Sequence, residues 1–471
     1  MRGARFTRHA AAATLVCAAA GCALQSPPAT AELQKEALPH TAVPRAFKAA
    51  GGGAAPVADR WLASFNDPAL SALVDEALTF NADLQGAAAR VEQAGGYVKV
   101  ASASLLPAVG VAATGSGASS NSSGGLNGIW LNASLELDIW GRIRYGQAAA
   151  QAQSAAAEAA FAYARQSLAA MVAKSWFLAI EAGLQRAIVQ DMLRSSESVL
   201  RLAQGRLRIG SGNEQDVAAA RANLGTYRDA LRQVEYSREQ ALRALELLLG
   251  RYPAAEVAVA QRLSAMPPPV PLGVPSELLE RRPDVIAAER QVAAAFNRVG
   301  EARAAQLPRI SLTAGLSSIS SDVLVLQDRE NPAWGVGGML LAPLYQGGAL
   351  RAQVEIRSAE QKQAVAAYAS AGQHAFAEVE SALSAENALR EREVILEANV
   401  RDSERALELT TIQFRVGSTD QRAVEQRQLP LYSARMALLR VQTDRRAQRV
   451  NLHLALGGSF SETTAGPVAA R

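Results

Sequence analysis

The chain has 471 residues, of which 49% are hydrophobic and 20% are charged, so it is long enough to bury a large core over two to four domains. It carries 48 Lys and Arg residues against 44 Asp and Glu residues, and removing an N-terminal signal with three arginines leaves 45 basic residues against the same 44. A basic surface for nucleic acid therefore loses its support, and we expect no nucleic-acid partner.

Residues 1–21 have the features of a lipoprotein signal peptide. Three arginines precede an apolar run over residues 10–20, which is too short to cross a membrane. The small residues before Cys22 resemble a lipobox, the motif in which a signal peptidase cuts just before a cysteine that becomes acylated. The branched apolar residue that is usual three positions before the cysteine is replaced by Ala19. We expect a lipid anchor at Cys22, with Ala23 favouring export to the outer membrane. The alternative is ordinary signal cleavage that leaves Cys22 as an incidental thiol.

The rest of the sequence offers no second membrane helix and no disulfide framework. No other stretch approaches the roughly 18 apolar residues of a membrane helix, so a membrane-spanning part would have to consist of strands. The only other cysteine, Cys17, lies inside the signal, and one cysteine at most remains in the mature chain.

Two copies of one unit follow each other along the chain. Early in the unit the matching residues are 201 apart and later they are 207 apart, as in Asp83 with Asp284, Gly210 with Gly417 and Gly250 with Gly457. So many matches at two spacings indicate an internal duplication. The predicted domains are a lipid-anchored linker at 22–60, a first repeat at 61–250, a Pro-rich segment at 251–274, a second repeat at 275–457 and a tail at 458–471.

Each repeat is predicted to contain a β-hairpin, at 107–140 and at 308–345. Apolar and polar residues alternate along both, which is typical of strands with one apolar and one polar face. The predicted strand pairs are Val109–Ala113 with Ile129–Ile139 and Ile310–Leu316 with Val336–Leu344. A sandwich in water is the alternative, but four strands are few for so long a chain. Four strands cannot close a barrel, whereas three chains supply twelve.

Helical hairpins are predicted at 141–250 and 347–457. The run from Gly141 to Gly210 lacks proline and would extend roughly 100 Å as a helix, at about 1.5 Å per residue. Each long helix turns at a Gly/Ser/Thr tip and returns over about 35 residues, with a bend predicted at Pro430. A coiled-coil seam is predicted at Ile188, Met192, Val199, Leu202 and Ile209.

With these parts the chain resembles the TolC-like outer-membrane factors, in particular their lipoprotein branch of NodT and OprM type. The most specific matching residues are Trp61, Asn66-Asp67-Pro68, Arg281-Arg282-Pro283-Asp284 and Leu307-Pro308. The resemblance implies a mainly α fold with a small β part. It also implies a homotrimer in outer-membrane lipid, whose twelve-stranded barrel continues as a coiled-coil tunnel in the periplasm. The implied partners are a periplasmic adaptor and an inner-membrane transporter.

The resemblance implies a passive exit duct for small molecules in a tripartite efflux pump. Two alternatives stay open: an exit duct for type I protein secretion, and a non-conducting periplasmic scaffold. An enzyme is not expected, because the four histidines are scattered and no nucleotide-binding glycine loop follows a strand. The sequence accordingly offers no catalytic residue, metal site or cofactor.

The resemblance places the functional residues at the two helix tips, where acidic residues of the family close the periplasmic aperture. The gate candidates are Asp216, Asp420, Arg422, Glu425 and Gln426, with Arg415 and Arg422 as ion-pair partners of the second-tip acids. The candidates for adaptor contact are Gly210, Ser211, Gly417, Ser418 and Thr419. A simpler interpretation is that residues 418–420 cap a helix and that the glycines only end one.

Overall fold

A computed structural model describes residues 24–49, 60–114, 127–320 and 333–459. The chain forms two compact units, each assembled from three stretches. The first comprises Met1–Thr41, Ala88–Ala160 and Asp284–Ala371, and the second comprises Ala42–Ala87, Phe161–Pro283 and Gly372–Arg471. Each unit therefore contains parts of both sequence repeats.

The first unit contains one antiparallel sheet in the order β1-β2-β3-β4. Its strands are β1 (Ala108–Thr114), β2 (Asn127–Leu137), β3 (Arg309–Ser320) and β4 (Ala333–Leu341). Both hairpins are the pairs predicted from the alternating pattern. The central contact, between β2 and β3, joins the first repeat to the second along eleven residue pairs.

The register of this sheet gathers its apolar side chains on one face. One row across all four strands consists of Val111, Leu131, Leu316 and Trp334. Residues directly opposite each other in a sheet point to the same face, so these four side chains are neighbours. All four are exposed in the single chain, Val111 at 69% and Trp334 at 79%. The other face carries mainly small and polar residues, such as Asn132.

The long helices and the returning helices of the two repeats match in length. In chain order they are α1 (Thr30–Ala37), α2 (Pro68–Phe80), α3 (Ala82–Ala103), α4 (Arg142–Arg208), α5 (Glu214–Leu248), α6 (Leu278–Arg281), α7 (Pro283–Ala304), α8 (Ala349–Arg415) and α9 (Gln421–Ala455). The long helices α4 and α8 both have 67 residues, and the returning helices α5 and α9 both have 35. Helix α9 continues through Pro430.

The second unit has its main core around the middle of α4. Trp176, Phe177 and Ile180 are fully buried there and belong to one cluster with Trp61 and the side chains of α2. Asp67 connects these parts through both of its carboxylate oxygens. One accepts the Leu70 amide at the start of α2 and the other accepts the Trp176 indole N–H at 2.8 Å. A buried indole that is hydrogen-bonded in this way costs little desolvation energy.

Two sequence-based expectations about α4 are corrected by its packing. The helix has an 18-residue window with a mean hydropathy of 1.3, which is apolar enough to cross a membrane, although no such second stretch was expected. Since 61% of that window is buried inside the protein, the apolar residues belong to the protein core. The predicted coiled-coil seam is confirmed only in part: Met192 is buried as predicted, but Leu202 and Ile209 are exposed, and Val189, Ser196 and Ala203 are buried in their place.

Candidate functional site

Each long helix ends at its tip in the same hydrogen-bonded turn. Gly210 has φ +75° and Gly417 has φ +80°, in the left-handed region that glycine adopts without steric cost. At the first tip the Gly210 amide donates to the Leu207 carbonyl and the Ser211 amide to the Arg206 carbonyl. The amides of Gly417 and Ser418 repeat both bonds at the second tip. These bonds satisfy carbonyls that a helix end leaves free, so the glycines have a structural role of their own.

The returning helices begin at side-chain caps. Asn213 accepts the Asp216 amide at 2.8 Å, and Asp420 accepts the Ala423 amide at 2.9 Å. The expected cap at residues 418–420 is therefore formed by Asp420. Thr419, an adaptor-contact candidate, precedes this cap and is half-buried.

The gate candidates do not form the ion pairs expected from the sequence. Asp420 is engaged in capping, and Glu425 accepts the Gln421 side-chain amide at 2.7 Å. Within the part of the chain that the structure describes, Arg422 forms no ion pair with either acid and is exposed together with Gln426. The cap and the amide satisfy the two carboxylates locally within the single chain, so a pairing with arginine in the assembled gate stays a prediction.

The two tips touch through Gln421. Its side-chain amide donates to the Asp216 backbone carbonyl at 3.2 Å as well as to Glu425, and it is only 5% exposed. Asp216 itself is half-buried in the first turn of α5. Its carboxylate accepts no hydrogen bond from the described residues, and its backbone rather than its side chain joins the tips.

Two further side chains of α9 reach the first repeat at intervals of one heptad. Gln428 donates to the Ser195 hydroxyl at 2.8 Å, and Arg435 reaches Asp191 at 3.2 Å. We call Gln421, Gln428 and Arg435 the polar seam. The polar seam was not predicted from the sequence, although polar residues at seven-residue spacing in a coiled coil are a recognisable signal for register.

An aromatic contact lies beside the polar seam. Tyr432 of α9 packs edge-on against Tyr227 of α5, with the ring centroids 6.1 Å apart. Burial raises the pKa of both phenols, so both stay protonated at neutral pH. Hydrogen bonds and ring packing together hold the second returning helix against the first hairpin.

The N-terminal segment is held beside the end of the sheet in the first unit. The Gln25 amide donates to the Tyr145 hydroxyl at 2.9 Å. Gly141 follows Trp140 with φ +74°, and a Cβ added to it would lie 2.6 Å from the Leu24 side chain. Trp140 in turn donates its indole N–H to the Pro308 carbonyl at 2.8 Å. Cys22 lies outside the described residues.

Comparisons with known proteins place these features in a family. The family description "outer membrane efflux protein" matches residues 73–251 and 274–458, one match for each repeat. The cation efflux system protein CusC of Escherichia coli O6:H1 is 29% identical over 94% of this chain and 96% of its own length. The pyoverdine export outer membrane protein OpmQ of Pseudomonas aeruginosa is 31% identical, covering 89% of this chain and 91% of that protein.

Comparison with solved structures leads to the same class of protein. The solved structure of the outer-membrane channel OprN superimposes with a TM-score of 0.81 at 28% identity, covering 93% of this chain and 99% of that one. Family match, sequence and fold agree over nearly the whole length described. The chain belongs to the outer membrane efflux protein family and is an outer-membrane efflux channel subunit.

Proposed function

We propose that three copies of this chain form a passive exit duct for small molecules in a tripartite efflux pump. In this proposal the twelve strands close into a barrel in the outer membrane, and the helices continue as a tunnel in the periplasm. A periplasmic adaptor and an inner-membrane transporter deliver the cargo to its open end.

The sheet carries this proposal. Its apolar face is exposed on all four strands, and a sheet in water normally covers such a face with a core. The outer edges of β1 and β4 pair with no strand in the described residues. Backbone groups cannot stay unpaired in lipid, so a membrane location requires partners at both edges. Two further copies in a ring supply them and turn the apolar face toward lipid.

The names of the relatives support a duct that does not itself choose its cargo. One relative is named for cation efflux and another for pyoverdine export, although both resemble this chain to a similar degree. A lumen that needs only polar side chains leaves selectivity to the inner-membrane partner.

Cys22 is proposed as the lipid anchor. Leu24 and Gln25 lie against Gly141 and Tyr145, next to the Trp140 side chain that follows the last residues of β2. Tryptophan at the end of a membrane strand is typical of the lipid–water interface. A diacylglyceryl group on Cys22, only two residues before Leu24, would therefore start close to the membrane surface.

The tips are proposed as the gate and the adaptor contact. Asp216 is the first gate candidate because its carboxylate has no partner in the described part of the protomer and is free to meet another subunit. Asp420, Arg422, Glu425 and Gln426 are the corresponding candidates at the second tip. Beside the tip residues Gly210, Ser211, Gly417, Ser418 and Thr419, the side chains of Ile209 and Val416 are 77% and 73% exposed, which offers an adaptor an apolar surface.

A deletion strain tests the proposal. We expect it to become susceptible to pump substrates, and wild-type protein to restore resistance. Asp216→Ala should restore efflux and in addition admit vancomycin, because an aperture that has lost a gate carboxylate leaks. Asp229→Ala, which removes an exposed carboxylate farther along the same helix, is the matched control and should not leak.

The same strain distinguishes the alternatives. Loss of a secreted protein without drug susceptibility would indicate type I secretion. Protein that neither fractionates with the outer membrane nor forms a heat-sensitive trimer would indicate a scaffold. Unchanged vancomycin entry in Asp216→Ala would remove this residue from the gate and leave the duct in place.

A further inference from the structure

The polar seam is a contact between the two repeats within one chain. Gln421 and Gln428 are 5% and 2% exposed because their side of α9 lies against the first repeat. Gln428 meets Ser195 of α4, so the returning helix of the second repeat packs on the long helix of the first. Any equivalent contact formed by the first repeat would use the same face of α5.

That face of α5 is uncovered in the single chain. The residues 207 positions before the polar seam are Glu214, Arg221 and Arg228, and all three are exposed. They are also all charged, whereas two of the three polar-seam residues are neutral amides. A row of charged, exposed side chains at the position of a buried seam marks a surface that awaits a partner in the assembly.

The same spacing of 207 positions identifies the residue that the partner subunit presents to this face of α5. Ser195, whose hydroxyl accepts the hydrogen bond from Gln428, corresponds to Asp402 on α8. Asp402 is exposed as well. Neither Arg221 nor Asp402 forms an ion pair or a side-chain hydrogen bond with the described residues. A contact equivalent to Gln428–Ser195 would thus join a guanidinium to a carboxylate, which is a charge-assisted hydrogen bond.

We propose that Arg221 of each copy pairs with Asp402 of the partner subunit, at a seam that repeats between copies the contact seen within one. This inference rests on the proposed trimer and specifies its helical interface. Three chains with two similar hairpins each form a ring of six hairpins, and three of the six contacts are between chains. The occupant of the exposed α5 face is therefore a second copy of this chain.

The neighbouring positions are compatible with this seam. Tyr432 and Tyr227, which pack together within the chain, correspond to Gly225 and Ala434 in the contact between copies. A Cβ added to Gly225 would meet no atom within 4 Å in the single chain. Because glycine and alanine replace the two tyrosines at these positions, no aromatic ring holds the arginine away from its carboxylate.

Cross-linking of full-length protein tests the inference directly. We expect Arg221→Cys with Asp402→Cys, treated with a short bifunctional maleimide, to convert the denatured monomer band into dimer and trimer bands. The matched control is Gln428→Cys with Ser195→Cys, which should react within one chain and leave the denatured protein at monomer size. Each single variant should give neither the trimer band nor an intrachain product.

Charge exchange gives a second measurement that does not depend on cysteine chemistry. Arg221→Glu places two acids together and should lower the temperature at which the trimer dissociates, as should Asp402→Arg. The double variant Arg221→Glu with Asp402→Arg restores the opposite charges and should recover most of the loss. The pair is specific if the charge exchange restores the dissociation temperature of the trimer. An unrelated charge change, such as Asp229→Arg, should rescue neither single variant.

The outcomes separate this inference from the proposed function. A trimer that forms no interchain cross-link at these positions, while the control pair reacts within the chain, would overturn the seam and leave the duct intact. Additive losses in the double charge variant would overturn it too. Protein that is monomeric in detergent and in native membranes would contradict the proposed trimer itself.

Discussion

The two repeats build one joint with different chemistry. In the first repeat the Asn81 side chain donates to the Leu248 carbonyl at 3.0 Å and accepts the Leu84 amide. In the second, Arg282 stands at the position of Asn81, and it donates to the Ala455 carbonyl at 3.1 Å and to Glu378 at 2.7 Å. Leu248 and Ala455 correspond as well, so both joints satisfy the same helix-end carbonyl. The geometric requirement is common to both repeats, and the residue that meets it is not.

A second pair of equivalent residues differs because their surroundings differ. Glu246 is 2% exposed and accepts the backbone amides of Ala255, Glu256 and Val257 in the segment that leaves the first repeat. Its counterpart His453 stacks on Trp61 with the ring centroids 5.8 Å apart. Only the first returning helix is followed by the Pro-rich segment that needs such an anchor.

The largest expected difference between the repeats concerns the glycines that end the returning helices. Gly250 has φ +73°, and a Cβ there would lie 2.6 Å from the Phe80 carbonyl oxygen, whereas at Gly457 it would lie 3.3 Å from the Arg281 carbonyl oxygen. Gly250→Ala should cost about 2–5 kcal/mol, from left-handed strain plus overpacking. Gly457→Ala should cost about 1–2 kcal/mol. Equal thermal midpoints for the two variants, measured by circular dichroism, would contradict the comparison.

His453 should make the stability of the protein depend on pH. Burial, assisted by Arg449, lowers the pKa of His453 from 6.5 to about 4. The unfolded chain therefore binds a proton between these values that the folded protein excludes, so stability is full above pH 6.5 and falls as the pH drops toward 4. The loss should approach roughly 3 kcal/mol.

The variant His453→Phe keeps a ring against Trp61 and cannot be protonated. Its thermal midpoint should change less between pH 6.5 and pH 4 than that of the wild type. His374→Phe, at an exposed histidine of α8, is the control and should behave as the wild type does. A wild-type midpoint that is flat over this pH range would rule out the assigned role of His453.

The joint residues should differ by a smaller amount. Arg282→Ala leaves the buried Ala455 carbonyl without its partner and removes the bond to Glu378, which should cost roughly 2–3 kcal/mol. Asn81→Ala removes a neutral cap and should cost about 1–2 kcal/mol. Because the Glu378 side chain is 50% exposed, Glu378→Ala should cost clearly less than Arg282→Ala. Denaturant midpoints of the three variants give this order, and a reversed order would show that the two joints are not equivalent.

The tip caps should differ least. Asn213→Ala and Asp420→Ala each remove one side-chain cap and should each cost about 1 kcal/mol. Salt should reduce the cost only for Asp420→Ala, since a carboxylate also interacts with the helix dipole. Hydrogen exchange of the first turns of α5 and α9 measures both effects, and protection unchanged by either variant would contradict the capping roles.

The sequence by itself determined the type, length and order of the main elements. Alternation in β2, the glycine at each tip and the absence of proline between residues 141 and 210 are local signals, because they act through backbone conformation and the period of one element. The duplication made these signals stronger, since the 67-residue and 35-residue helices each occur twice. The family resemblance could be recognised from the sequence because these local signals occur in both repeats.

Only the tertiary structure decided which faces are covered and which charges are paired. Leu202 is exposed and Ser196 is buried, although hydrophobicity alone predicts the reverse, because burial depends on the helix that lies opposite. Gln421 joins the tips where arginine and acid pairs were expected. Such contacts connect residues about two hundred positions apart, and no local pattern encodes which neighbour will satisfy a polar group.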